Sequence, residues 1–206
     1  MTVKPKSHHS TEHSVALTTS LKSSIALRAK IFLLGSSAPT SMVIRDMKSS
    51  DTNFGRVTHE HYITGQAAIN FPWAGETTGG WHYLSYWDKG TGKLRISLAG
   101  IHYPETIKFL GTEGISDARL ELQRRGWPSE RDIYMANHFR AAADMAIAWT
   151  LGESKHCNVE LLDWFPQDKD FRYMVDLLLG ALRAMPDLPR ERLRCWLELQ
   201  VSRAQE

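Results

Sequence analysis

The stretch VTHEHYITGQAAINF, residues 57–71, decides how the rest of the chain is read. Its odd positions are Val57, His59, His61, Ile63, Gly65, Ala67, Ile69 and Phe71, and its even positions are Thr58, Glu60, Tyr62, Thr64, Gln66, Ala68 and Asn70. Period-two alternation is the mark of a strand with one face on a core, which turns the odd side inward. A two-residue hairpin at Thr64-Gly65 would scramble that parity. The pattern therefore predicts one long strand, bent near Gly65 and ended by Pro72.

Downstream, a Gly-rich loop (Gly75, Gly79, Gly80) leads to two alternating runs, Trp81–Trp87 and Lys93–Ala99. The five residues between them include Gly90 and Gly92, as an antiparallel hairpin requires. Pairing Trp87 with Lys93 puts His82, Leu84, Tyr86, Leu94, Ile96 and Leu98 on one face. The other face carries Trp81, Tyr83 and Trp87 from one strand and Lys93 and Arg95 from the other, a surface suited to stacking and charge contacts with a partner.

Upstream, residues 1–16 are rich in Ser, Thr, His and Lys and read as a disordered basic tail. Leu17, Leu21, Ile25 and Phe32 form the stripe of an N-terminal helix closed by Gly35, and Ser41–Arg45 is a short candidate strand. After about residue 104 the period becomes helical. Ser116 is placed as the N-cap of a helix over Asp117–Arg125 ended by Gly126. Ser129 with Asp132 resembles a capping box for a helix running to about Leu151 before Gly152. Three more helices are expected: Val159–Trp164, Asp168 to about Ala184, and one with Pro189 in its first turn ending near Ser202. The fold class is α+β: an N-terminal helix, an antiparallel β-meander, then four or five C-terminal helices packed on one sheet face. Residues 17–206 form a single domain, sheet-rich over 41–103 and helical over 105–203.

Composition agrees with this. Over 206 residues, 42% hydrophobic and 23% charged side chains describe a globular chain with one full core. No apolar run reaches the ~18 residues of a membrane span, and the basic N-terminus lacks the apolar region of a secretion signal. Cys157 and Cys195 are too few for a disulfide framework, so the expected location is cytoplasmic. The net charge of +2 is uneven: residues 1–60 hold a surplus of about four positive charges. That makes nucleic acid a partner to consider, through the basic N-terminal arm.

Three groups could carry chemistry. On the proposed strand His59 and His61 point the same way, with Cα atoms roughly 6.5–7 Å apart, as many metal sites require of two imidazoles. His82 shares the inward side, and His102 would if its strand continued, though His82 and His102 lie on the order of 13 Å apart and cannot both join one site. The implied cofactor, on this reading only, is one divalent transition metal; otherwise no cofactor is expected. Second, the apolar helix IYMANHFRAAADMAIAW (133–149) carries Asn137, Arg140 and Asp144 at i, i+3 and i+7. A buried charge needs a partner, so Arg140 and Asp144 pair while Asn137 and His138 bond the sheet or a loop. A pocket where Arg140 holds an anion and His138 moves a proton is the functional alternative. Third is the aromatic and basic face of Trp81, Tyr83, Trp87, Lys93 and Arg95.

The blocks TGQAAINFPW (64–73), GGWHYL (79–84), GTEGISDARLELQRRG (111–126) and ANHFRAAADMAIAW (136–149) resemble an uncharacterised family of small bacterial proteins. Its members are associated with nucleotidyltransferase-type toxin genes on mobile elements. The likeness covers about residues 64–150, and its motifs are apolar and glycine-rich rather than catalytic. It implies a regulatory or neutralising protein of the antitoxin or defence type, and it assigns no catalytic residue. The resulting expectation is a non-enzymatic regulatory protein whose partner is another protein. A metal-dependent enzyme at His59 and His61 and a nucleic-acid binder are the alternatives.

Overall fold

The computed structural model describes residues 54–75, 83, 85–88, 94–127, 129–152 and 156–205, all within the compact unit Ser41–Glu206. The basic tail, the N-terminal helix and the strand expected over 41–45 lie outside the described residues.

The chain is mixed α and β. A helical turn over Phe54–Arg56 precedes β1 (Ile63–Thr64), α1 (Gly65–Ile69), β2 (Ser97–Leu98), α2 (Ile107–Leu110), β3 (Ile115–Asp117), α3 (Arg119–Arg124) and β4 (Tyr134–Ala136). Then follow α4 (His138–Leu151), α5 (Leu161–Trp164), α6 (Asp168–Leu182) and α7 (Asp187–Arg203). The strands are ordered β2-β1-β4-β3. Leu98 pairs with Ile63 and Ile115 with Ala136 in antiparallel register, whereas Ile63 and Met135 pair in parallel. The expected antiparallel meander followed by helices is thus corrected to a mixed sheet whose strands are interleaved with α1, α2 and α3. Bringing β1 and β4 side by side in parallel needs a long crossover, which those elements supply.

The long strand over 57–71 is also corrected. Residues 57–62 contain a bend, β1 is two residues long, and the chain turns into α1 at Gly65. Burial explains the change. Tyr62, Ile63, Thr64, Ala67, Ala68, Ile69 and Phe71 are all buried, and Gln66 alone among residues 62–69 is exposed. Parity would have turned Tyr62, Thr64 and Ala68 outward; a five-residue helix instead buries three consecutive apolar side chains after a two-sided buried strand. Gly65 makes the corner at φ +64°, and an added Cβ would sit 2.7 Å from the ring of Tyr103. The left-handed conformation alone costs an L-residue roughly 1–2 kcal/mol. Gly65→Ala is therefore expected to lower stability by about 2 kcal/mol, read as a reduced urea midpoint with an unchanged slope. A neutral result would refute the corner.

Of the hairpin expected over 81–99, the described residues do not form the two expected strands. Ser85–Trp87 form a turn and Ser97–Leu98 pair with β1; Trp81, His82, Leu84 and 89–93 lie outside the described residues. In the helical half, Ser116 belongs to β3. The start of α3 is set by Asp117, whose Oδ1 accepts from Arg119 N at 2.9 Å and from Ile133 N at 3.0 Å. Gly126 closes α3 at φ +79°, with Trp127 N donating to Leu122 O and Gly126 N to Gln123 O, both at 2.9 Å. Residues 134–136, expected in the long helix, are β4, and Ser129 caps no helix: its hydroxyl bonds Arg131 O at 2.9 Å. The helix begins at His138 with Asn137 as N-cap. It runs through the core, packed on α1, α6, α7 and the sheet. Ala141, Ala142, Ala143 and Ala146 are small enough to let those neighbours approach closely.

Candidate functional site

α4 enters the core carrying an arginine and an aspartate one turn apart, both 0% exposed. Asn137 Oδ1 accepts from Arg140 N at 2.8 Å and so fixes the first turn. The Arg140 Nε then lies 2.9 Å from Asp144 Oδ1. Three further elements converge on the pair. Tyr62, just before β1, and Thr64 within it donate their hydroxyls to Asp144 Oδ2 at 2.7 and 2.6 Å. Thr106, ahead of α2, donates to Asp144 Oδ1 at 2.5 Å. Arg140 Nη2 donates to the oxygens of Tyr62 and Thr106 at 2.8 and 3.1 Å, and Nη1 to the carbonyls of Gly111 and Glu113 at 2.7 and 3.0 Å.

A guanidinium has five N–H donors and a carboxylate about four acceptor positions. Every one of them is used. The network therefore removes the penalty of a buried charge by complete internal pairing. Arg140 also lies 5.1 Å from the Tyr62 ring centroid, over its face. Burial, then the neighbouring Asp144 charge, pushes the Tyr62 hydroxyl well above the ordinary tyrosine range, so it remains a donor to the carboxylate. The loop carrying the two carbonyls comes close because Gly114, at φ +75°, leaves room: a Cβ there would meet the Arg140 Cβ at 2.7 Å and Asn137 Oδ1 at 2.8 Å. The arrangement joins four separate elements, and it leaves Arg140 no donor with which to hold an anionic ligand. His138 is directed elsewhere, its Nε2 donating to Phe71 O at 2.6 Å.

His59 and His61, proposed as metal ligands, have different partners. His59 meets the Tyr134 ring edge-on, centroids 5.1 Å apart. His61 turns to Ala99 O, 3.0 Å from its Nδ1. Residues 59–61 form a bend, with His61 N donating to Thr58 Oγ1 at 3.0 Å, and not the straight strand that would have aligned the two imidazoles. His102 accepts from Leu98 N, and His82 lies outside the described residues. Among the described residues, no group of three or more His, Cys, Asp or Glu side chains is placed to hold a metal ion. Cys157 is the opposite of an activated nucleophile, since burial pushes its thiol up to about 11.

The aromatic and basic face is divided. Trp87, expected on it, is 1% exposed and donates Nε1 to Ala67 O at 2.8 Å, because a turn rather than a strand carries it inward. Tyr83 is 62% exposed, and Arg95 is exposed. Between them Tyr86 contacts the Tyr83 ring edge-on at 6.4 Å and donates its hydroxyl to Arg95 O at 2.7 Å. Trp81 and Lys93 lie outside the described residues. Reasoning from sequence missed Tyr62, Thr64, Thr106 and Tyr86. The first two stood on the side that parity turned to solvent, and Thr106 carried no motif.

Compared with known proteins, the chain matches no family model, no curated protein and no solved structure.

Proposed function

We propose that this protein acts by binding another macromolecule, a protein partner, as the regulatory member of a pair of the antitoxin or defence type. The observation that carries the reading is the surface at Tyr83, Tyr86 and Arg95. Tyr83 presents most of its ring to solvent from a platform that is itself anchored: Tyr86 is bonded to the backbone at Arg95, and next to it Trp87 is sunk in the core. An exposed tyrosine on an anchored base, held through the backbone of an exposed arginine, has the composition of an interface anchor, since it loses little side-chain entropy on being covered. The complete internal pairing of Arg140 and Asp144 supports the same reading, because it assigns the most conspicuous charged residues of the core to holding the fold. The regulatory character rests on the resemblance of the blocks between residues 64 and 150.

Co-expression with the product of the adjacent gene, followed by affinity purification and titration calorimetry, tests this. Tyr83→Ala combined with Arg95→Glu is expected to weaken the complex by about 30-fold or more, the equivalent of losing one interface anchor of about 2 kcal/mol. The thermal midpoint of the isolated chain should stay where it was. Absence of any complex, or a complex indifferent to both substitutions, would overturn the reading.

A further inference from the structure

The turn that leaves β2 is held by two imidazoles with opposite proton requirements. Leu98 O accepts from three successive amides, Ile101 N at 3.3 Å, His102 N at 2.9 Å and Tyr103 N at 3.1 Å. In return His102 Nδ1 lies 3.1 Å from Leu98 N. A backbone N–H can only donate, so this ring nitrogen carries a lone pair, and the ring is neutral with its proton on Nε2. His61 faces the opposite demand. Its Nδ1 meets the carbonyl of Ala99, which can only accept, so His61 donates there whatever its charge. Gly100, at φ +71°, passes so close that a Cβ would lie 2.8 Å from the same Nδ1.

The turn is tied to the rest of the fold at both ends. Ala99 N donates to Tyr62 O at 3.0 Å. Tyr103 bridges back to Ala99 and lays its ring on Gly65. The groups facing the turn are Arg56 from the helical turn before β1, His61 across Gly100 and, around Tyr103, Tyr86 and Asp144. Partial burial, then the Arg56 charge, disfavours an imidazolium at His102 and holds its pKa below the ordinary histidine range. Tyr103 is pushed the other way, up, by burial and by Asp144, and as a phenol it is neutral across the whole acid range.

We propose that His102 is an acid-sensitive latch: a proton on Nδ1 removes the acceptor for the Leu98 amide and releases the Leu98–Tyr103 turn from the edge of the sheet. Because the native state binds this proton less readily than the unfolded chain, the latch contributes fully above about pH 6.5. That contribution is lost as pH falls through the lower native value. The His61 bond to Ala99 survives protonation, so the loss is confined to the His102 side and frees Tyr103 from its seat on Gly65.

The test is nitrogen-15 NMR and amide hydrogen exchange on the full chain. At pH 7.5 His102 should show the Nε2–H tautomer. Protection of the Leu98 and Tyr103 amides, corrected for intrinsic exchange, should fall by about fivefold or more at pH 5, as loss of one hydrogen bond from the turn implies. His102→Gln offers a side-chain oxygen to the Leu98 amide at every pH and should hold its protection across the same range. An Nδ1–H tautomer, unchanged wild-type protection at pH 5, or an equal loss in wild type and variant would overturn the latch. If His102→Gln does not fold, the wild-type tautomer and exchange profile decide alone.

Discussion

Asp144→Ala is expected to destabilise the fold by about 3–5 kcal/mol, the loss typical of breaking a buried ion pair from one side. The carboxylate accepts four hydrogen bonds, from Arg140, Thr106, Tyr62 and Thr64. Its removal strands a guanidinium that is 0% exposed and leaves three hydroxyls without their acceptor. Each such orphan costs on the order of 1–3 kcal/mol, so the upper part of the range follows unless water enters. Arg140→Met strands the opposite set: the carboxylate, and the carbonyls of Gly111 and Glu113. Because each single change includes the other partner's isolation, the double variant should cost less than the sum of the singles. A coupling of about 2 kcal/mol in the double-mutant cycle is expected from urea unfolding followed by circular dichroism. Additive effects, or a single-variant loss below about 1 kcal/mol, would mean that solvent already reaches the pair.

The polar half of this network could be read from the chain because helical spacing does the sorting. Asn137, Arg140 and Asp144 fall on one stripe among alanines, and a charge in such surroundings has to be paired. Tyr62, Thr64 and Thr106 could not be read in the same way: hydroxyl side chains are at home in water, and these three come from segments brought together only by the fold. The misreading of residues 57–71 has an equally local cause. Gln66 and Asn70 are four apart, a spacing that fits both a period of two and a period of 3.6, while Ala67 and Ala68 discriminate against neither. Strands of two or three residues are too short to display any period, and the parallel pairing of Ile63 with Met135 leaves no trace in either segment. Gly126 was legible as a helix end because the backbone there needs φ +79°. Ser116 misled by one position, since Asp117 is an equally good acceptor and also serves the Ile133 amide just before β4.

Trp87→Ala is expected to cost about 3–5 kcal/mol, the range for truncating a buried large aromatic side chain, whereas Tyr83→Ala should stay within about 0.5 kcal/mol. The two aromatics stand four residues apart and a strand would have placed both on one exposed face. The turn over Ser85–Trp87 separates them. The Trp87 ring packs edge-on against Phe71 at 5.2 Å and Trp127 at 6.5 Å. Its Nε1 donates to Ala67 O at 2.8 Å, and its own carbonyl accepts from Trp127 Nε1 at 2.7 Å. Truncation would therefore open a cavity between α1 and the 127 loop and leave the Ala67 carbonyl without its donor. Trp87→Phe separates these losses, because it keeps much of the volume and removes the N–H. It should cost less than the alanine variant but still about 1 kcal/mol or more. Chemical denaturation of the three variants gives the ranking directly. Equal, small effects for Trp87→Ala and Tyr83→Ala would return Trp87 to the surface and restore the straight strand; the expected disparity requires the turn that makes Tyr83, and not Trp87, available to a partner.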